Sequence, residues 1–175
     1  FGLPVVLTNC SNNYGPYQFP EKLIPTVISR AMEGKTIPVY GQGLQVRDWL
    51  HVDDHAEALL LVLQKGRLGQ TYCIGGNATV RNIEIVKTLC AHLDVYAPSN
   101  LPHAERIAFV ADRPGHDFRY SIDASKLRDE LGWSPRIKLT DGLEETVRWY
   151  VENRAWWDGI RDRGFHSERM GLVKA

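Results

Sequence analysis

Thr8-Asn-Cys-Ser-Asn-Asn-Tyr-Gly-Pro-Tyr-Gln-Phe-Pro-Glu-Lys-Leu-Ile-Pro25 is the stretch whose reading decides the fold. It grows out of the apolar run Pro4-Val-Val-Leu7, short and rich in β-branched residues, which reads as a buried strand over residues 4–9. The run breaks into amides and hydroxyls, Gly15-Pro16 marks a turn, and a helical pattern begins just beyond. A buried strand ending in polar groups places them at its carboxyl end. In open parallel α/β sheets that edge is where ligands bind. The alternative is a capped loop whose Asn side chains bond their own backbone.

The 175 residues suffice for one domain with a real core. With 21 basic and 21 acidic residues the formal charge is zero, which argues against a nucleic-acid binder driven by a general basic field. A local arginine cluster for a small phosphate is not excluded by that balance. No apolar run approaches the ~18 residues of a membrane span, so no membrane partner is expected. Cys10, Cys73 and Cys90 are odd in number and lack metal-ligand spacing. Free buried thiols in a reducing cytoplasm are the reading.

The rest of the chain alternates short extended pieces with helices. Residues 21–33 show one apolar face and a stop at Gly34, with Pro25 in the first turn. Residues 36–40 and 46–52 read as extended, and residues 53–65 as a helix with acids at its start. Residues 71–74 form a second buried strand closed by Gly75-Gly-Asn77, followed by a helix over 82–93. A loop over 97–105, extended pieces at 107–111 and 118–122, and a loop between them come next. Asp123 caps a short helix ending at Gly132, and Thr140 caps the last long helix. Trp149, Trp156 and Trp157 read as packing over the domain end.

Arg47 and Arg113 are the sharpest candidates for chemistry. A planar guanidinium donates two parallel hydrogen bonds to phosphate oxygens, and a diphosphate offers two charges. Arg47 follows a Gly-rich turn and Arg113 precedes Pro-Gly, where turns aim side chains inward. The competing reading is a surface salt bridge to Asp48 or Asp112. Tyr40 offers a ring and a hydroxyl, and Pro38 a flat apolar neighbour, for a base; an ordinary half-buried strand tyrosine is the alternative. Lys22 with Leu23 opens a helix, where the dipole disfavours a cation, so a ligand partner is one explanation. Asn82 reads first as a helix N-cap. His116 is either a donor to phosphate or ribose, or a solvated loop histidine. His51-Val-Asp-Asp-His55 has the spacing of a metal pair but not the His-Glu-x-x-His pattern, and a helix start explains both aspartates better. No metal is expected there.

The block Ser11–Pro16 with Phe19–Pro25 resembles the dTDP-glucose 4,6-dehydratases, extended short-chain dehydrogenase/reductases. Arg47-Asp-Trp-Leu-His-Val-Asp-Asp-His55 is similar to a signature of many nucleotide-sugar enzymes of that superfamily, and Arg113-Pro-Gly-His-Asp117 with Tyr120-Ser-Ile-Asp123 points back to the 4,6-dehydratases. The likeness runs from about Phe1 to about Tyr150. It implies an α/β fold: the carboxyl-terminal part of an NAD(P)-binding Rossmann-type enzyme. Strands 4–9 and 71–74 would belong to the Rossmann sheet, and residues 16–65 and 77–160 largely to a mostly helical nucleotide-sugar lobe. By resemblance Arg47 and Arg113 take the diphosphate, and Lys22 and Leu23 the base and ribose region. Asn82 lies near the nucleotide, Asn12 faces the sugar nucleotide, and Asn13 faces the nicotinamide side of NAD.

The resemblance also implies that NAD takes hydride from C4 of dTDP-glucose, water leaves across C5 and C6, and hydride returns at C6. The family's Tyr-x-x-x-Lys pair and its acid–base residues do not occur in this sequence, nor does a Gly-rich dinucleotide fingerprint. Catalytic residues are therefore expected upstream of Phe1. A chain holding this half alone is expected to be inactive, and the parent to be a cytoplasmic homodimer. Two strands alone would expose an unpaired apolar edge. The alternatives are another nucleotide-sugar enzyme (a UDP-sugar epimerase or decarboxylase) or a non-catalytic nucleotide-binding or interaction module.

Overall fold

The structure is a computed structural model that describes residues 2–162. Its elements run β1 (Leu7–Cys10), β2 (Asn12–Tyr14), α1 (Leu23–Met32), β3 (Ile37–Tyr40), β4 (Val46–His51) and α2 (Val52–Lys65). After these come β5 (Thr71–Ile74), β6 (Thr79–Arg81), α3 (Asn82–Tyr96) and a 3-10 turn at His103–Arg106. The last are β7 (Ile107–Val110), β8 (Arg119–Tyr120), α4 (Ser125–Leu131), α5 (Leu139–Glu152) and α6 (Arg154–Asp162). Most of the predicted elements form within a few residues of their expected bounds.

Strand pairing is mostly parallel. β1 lies beside β5, β2 beside β4, and β3 beside β7, all parallel. At the first half of β4, β6 pairs antiparallel and β8 parallel. Side chains alternate across a strand, and β4 uses that alternation to wall off two cores. Trp49 packs with Tyr14, α1, α3 and α5. Leu50, its neighbour, packs with Ala58 and Val62 of α2, Tyr72 and Ile74 of β5, and Leu127 and Trp133. Gly76 makes the close join between β5 and β4: a Cβ there would lie 1.8 Å from the Trp49 carbonyl oxygen, so no other residue fits without moving the strand.

Helix ends follow their local chemistry. The His51 Nδ1 accepts from the Asp53 N–H, and Asp53 and Asp54 sit in the positive first turn of α2. The buried Asp54 carboxylate reaches further, accepting the backbone N–H groups of Arg136 and Ile137 at 3.1 and 3.0 Å. Asp123 is not the cap expected of it: Ala124 is the N-cap of α4 and Asp123 lies one residue outside, though its carboxylate accepts the Ser125 N–H, and Gly132 closes α4 with φ 72°. Pro25 is the third residue of α1, where its missing N–H costs little.

Four further expectations are corrected. The first strand begins at Leu7, and it is not buried: Leu7 is 61% exposed. Its one partner among the described residues is β5, so nothing covers its other edge. Asn82 is the first residue of α3 and not its cap; Arg81 holds that position, with its N–H on Glu84. α5 starts at Leu139 after Lys138, and the Thr140 hydroxyl donates to Asp141 instead of capping. The strands β2 and β6 have no counterpart in the sequence reading, being three residues long with little periodicity, and neither has α6, a nine-residue amphipathic helix. Cys10, Cys73 and Cys90 are unbridged, and only Cys90 is fully buried. Burial, with Asp94 adding to it, pushes the Cys90 thiol up to about 11.

Leu60 and Leu63 of α2 are also exposed, at 58 and 81%. Together with the bare edge of β1 they make an adhesive surface. The 175-residue chain produced alone is expected to self-associate, with a weight-average mass in sedimentation that rises with concentration. Leu7→Lys combined with Leu63→Lys should lower that mass. A strictly monomeric unmodified chain would contradict the expectation.

Candidate nucleotide site

β4 supplies the first cation. Arg47 lies between Val80 of β6 and Tyr120 of β8 in register, and is 8% exposed. Its guanidinium donates to the carbonyl oxygens of Val46 and Asp117, both at 2.8 Å. The salt bridge foreseen as an alternative does not form. Asp48 is turned to the opposite face, where its carboxylate accepts the N–H groups of Gly76 and Ala78 at 2.9 and 2.8 Å. Asp112 is engaged elsewhere. Burial lowers the affinity of Arg47 for its proton, Asp117 opposes that shift, and the nearby positive charge of Arg113 adds to it. A guanidinium stays charged under such shifts. Two cations are thus held close enough to feel each other.

Arg113 sits on the loop before β8. Its backbone N–H is tied to Asp112 Oδ1, while its side chain is exposed and has no partner among the described residues. His116, on the same loop, is not the solvated histidine of the alternative reading: its side chain is 6% exposed and its Nδ1 lies 2.7 Å from Asp112 Oδ1. Its ring meets Tyr40 edge-on, with centroids 6.2 Å apart. Tyr40 ends β3, opposite Val110 of β7, and Pro38 lies two residues earlier on the same strand. Tyr40 and Pro38 are half-buried. Asn82 joins the same region: its N–H donates to the Gln45 carbonyl at 2.9 Å, and its Oδ1 is buried with no partner.

The amides of the opening stretch divide between two faces. Paired residues of adjacent strands point the same way. Asn12 pairs with Trp49, so it shares a face with Arg47, two residues back along β4. Asn13 pairs with Leu50 and faces the other side, where its Nδ2 donates to Cys10 Sγ and to the Ser11 carbonyl. Its Oδ1 is buried and unpartnered. The loop beyond is fixed by the Gln18 side chain, which donates to the Asn13 carbonyl at 2.7 Å, and by the Tyr150 hydroxyl on the Gln18 carbonyl.

Lys22 and Leu23, at the start of α1, have partners of their own. Lys22 pairs with Glu21 at 2.7 Å, which answers its misfit with the helix dipole. Leu23 packs against the first core. Two groups that organise the site escaped the sequence reading, Gln45 and the Asp117 carbonyl, and Asp112 entered it only as a salt-bridge partner. Gln45 Nε2 donates to Asp112 Oδ2 at 2.5 Å across 67 positions, a contact that no local pattern announces. The His51–His55 pair is divided by the helix start, and no group of three or more metal-ligating side chains occurs among the described residues.

Two cavities lie elsewhere. One of about 380 Å³ is lined by Asp53, Asp54 and Glu57 together with Arg136, Leu60 and Ile137, and one of about 250 Å³ sits at the 98–102 loop. The arginine pair lines an open rim instead. No helix among the described residues is long and apolar enough to cross a membrane.

A parallel α/β ladder with polar groups at its carboxyl edge and an attached helical lobe is the arrangement of the NAD-binding extended short-chain dehydrogenase/reductases, and solved members of that class superpose on this chain. A dTDP-glucose 4,6-dehydratase from Bacillus anthracis, solved in complex with NAD, matches with a TM-score of 0.82 and 48% identity, over 91% of this chain and 49% of that one. A dTDP-glucose 4,6-dehydratase from Streptomyces venezuelae, with NAD and TYD bound, matches with a TM-score of 0.84 and 46% identity, over 91% and 47%. The chain belongs to the GDP-mannose 4,6 dehydratase family, whose model matches residues 1–146. It is 56% identical to the dTDP-glucose 4,6-dehydratase of Xanthomonas campestris pv. campestris over 175 residues. That alignment covers 99% of this chain and 50% of the relative, so the chain spans about half the length of the curated relatives it matches.

Asp48 sets the register on which Arg47 depends. Asp48→Ala leaves the N–H groups of the half-buried Gly76 and Ala78 without their acceptor and is expected to cost roughly 2 kcal/mol of stability. Urea unfolding of the full-length protein checks this; a loss below about 1 kcal/mol would mean that water replaces the carboxylate.

Proposed function

We propose that this chain is the substrate-binding half of an NAD-dependent dTDP-glucose 4,6-dehydratase, a lyase of deoxysugar biosynthesis that converts dTDP-glucose to dTDP-4-keto-6-deoxyglucose and water. Two guanidinium groups close enough to couple, neither in a salt bridge among the described residues, carry the reading. Such a pair is costly until an anion with two charges arrives. A nucleoside diphosphate is that anion, and Arg113 and Arg47 grip it. Tyr40 and Pro38 take the base side, with His116, Asn82, Lys22 and Leu23 completing the nucleotide contacts. Asn12 meets the sugar, on the face that Arg47 shares. Holding the diphosphate fixes the hexose in place, which is catalysis by positioning.

NAD supplies temporary storage of the C4 hydride. The one group here assigned to it is Asn13, whose buried, unpartnered Oδ1 is an acceptor on the opposite face of the ladder from Asn12. The remaining NAD contacts and the proton-transfer groups belong to the part of the enzyme outside this chain. β1 and β5 form one edge of the Rossmann sheet, which the bare side of β1 would continue. Residues 16–65 and 77–160 largely make the nucleotide-sugar lobe. The full-length enzyme is a homodimer of the cytoplasm, in keeping with three unbridged cysteines.

Titration calorimetry of the full-length protein with dTDP tests this. Arg113→Ala is expected to raise the dissociation constant at least roughly tenfold, since a charge-assisted pair is lost. Unchanged affinity would overturn the reading. Turnover of dTDP-glucose and not of UDP-glucose is the expected outcome; the reverse would make this a UDP-sugar enzyme of the same class. Nucleotide binding by a full-length protein with no turnover would make it a non-catalytic module.

A further inference from the structure

The loop that carries Arg113 and His116 is pinned at both ends to the start of β4. At its first end, Gln45 Nε2 donates to Asp112 Oδ2 at 2.5 Å. At its last end, Arg47 donates to the Asp117 carbonyl at 2.8 Å. Gln45 and Arg47 are neighbours but one along the chain, so a single short segment sets both anchor points. Asp112 is the hub of the first anchor. Its Oδ1 accepts the Arg113 N–H at 2.8 Å and faces His116 Nδ1 at 2.7 Å. One carboxylate therefore fixes where the Arg113 backbone starts and which way the His116 ring turns. These bonds, that of His116 foremost, hold the Asp112 carboxyl below its usual range, so it remains an acceptor at neutral pH.

Gln45 is only 7% exposed, more deeply buried than a loop anchor needs. A carboxylate cannot donate, so the amide must present its NH2 to Asp112, and the orientation of the side chain is settled. Its backbone carbonyl takes the Asn82 N–H, which couples the same residue to the start of α3. Gly41 leaves room for the pair. With φ 57° it turns the chain after Tyr40, and a Cβ there would stand 3.2 Å from Asp112 Oδ2.

We propose that Gln45 is a positioning residue that acts through Asp112 to preset Arg113 and His116 for the nucleotide diphosphate. It need not touch the ligand. The inference rests on the nucleotide reading of the site and deepens it: without the Gln45–Asp112 bond the loop must be ordered by the ligand itself, and affinity falls. The effect belongs to substrate binding and not to the chemical step, so it appears in KM and not in kcat.

The experiment uses the full-length protein and four variants: Gln45→Leu, Asp112→Asn, their double, and Arg113→Ala as reference. Each single change at Gln45 or Asp112 is expected to raise the dissociation constant of dTDP and the KM for dTDP-glucose roughly tenfold, with kcat held. Because the two act in series, the double variant should be no weaker than the worse single one. Additive losses in the double variant would overturn the proposal, as would a fall in kcat with KM unchanged, the mark of a smaller folded fraction. If Gln45→Leu does not fold, the cycle of Asp112→Asn with His116→Ala decides, since Asp112 is exposed and its removal leaves both cores intact. Non-additivity there supports the hub, and additivity overturns it. Arg113→Ala separates the two layers. Weak binding by that variant beside unimpaired Gln45→Leu and Asp112→Asn removes this inference alone. Unimpaired binding by Arg113→Ala removes the nucleotide reading with it.

Discussion

β4 has to satisfy three masters with six residues. Its alternate side chains enter two separate cores, Trp49 into one and Leu50 into the other. Between them Asp48 ties down the Gly76–Ala78 turn, which closes β5 against the strand. That arrangement leaves Arg47 one direction to point, toward the rim shared with β8 and the 112–117 loop. The charge of Arg47 is tolerated in so buried a place because backbone carbonyls, and not a carboxylate, receive it. Carbonyls satisfy the donors without cancelling the charge.

The same economy appears at each candidate residue. Asp112, which could have neutralised Arg113, is instead committed to Gln45, His116 and a backbone N–H. Asn12 and Asn13 are consecutive, yet the pleat sends them to opposite faces of the β2–β4 ladder. Two adjacent amides can then serve two ligands without any bend in the chain. The acidic cavity at the start of α2 shows the contrast. Its three carboxylates outnumber its one arginine, Arg136, which already pairs with Glu57.

Elements were legible wherever their signal was local. The helices at 23–32, 52–65 and 82–96 follow from apolar spacing and from the acids or glycines at their ends. The parallel β5 was visible as a short β-branched and aromatic run. β2 and β6 were not, because three polar or mixed residues have no period to detect, and they become strands only through β4. β1 read as buried by its composition, while its bare edge was expected only because the resemblance put its neighbours elsewhere. An apolar run announces that it belongs inside a sheet, but not whether the strands that cover it lie in the same stretch of chain.

For the site, the chemistry was written in the sequence and the geometry was not. Arg47, Arg113, Tyr40 and His116 could be named as candidates from residue type and turn position, but a surface salt bridge, a strand tyrosine or a solvated loop histidine fitted the same signals, and the family resemblance tipped the choice. What those groups bond to was undecided. Whether an arginine meets Asp48, a carbonyl or a ligand depends on which face of β4 each side chain takes and on contacts spanning 67 and 70 positions. Local propensity carries no information over that distance. Packing on both faces of β4 decided it, by turning Asp48 inward and bringing the 112–117 loop across the strand to meet Gln45 and Arg47.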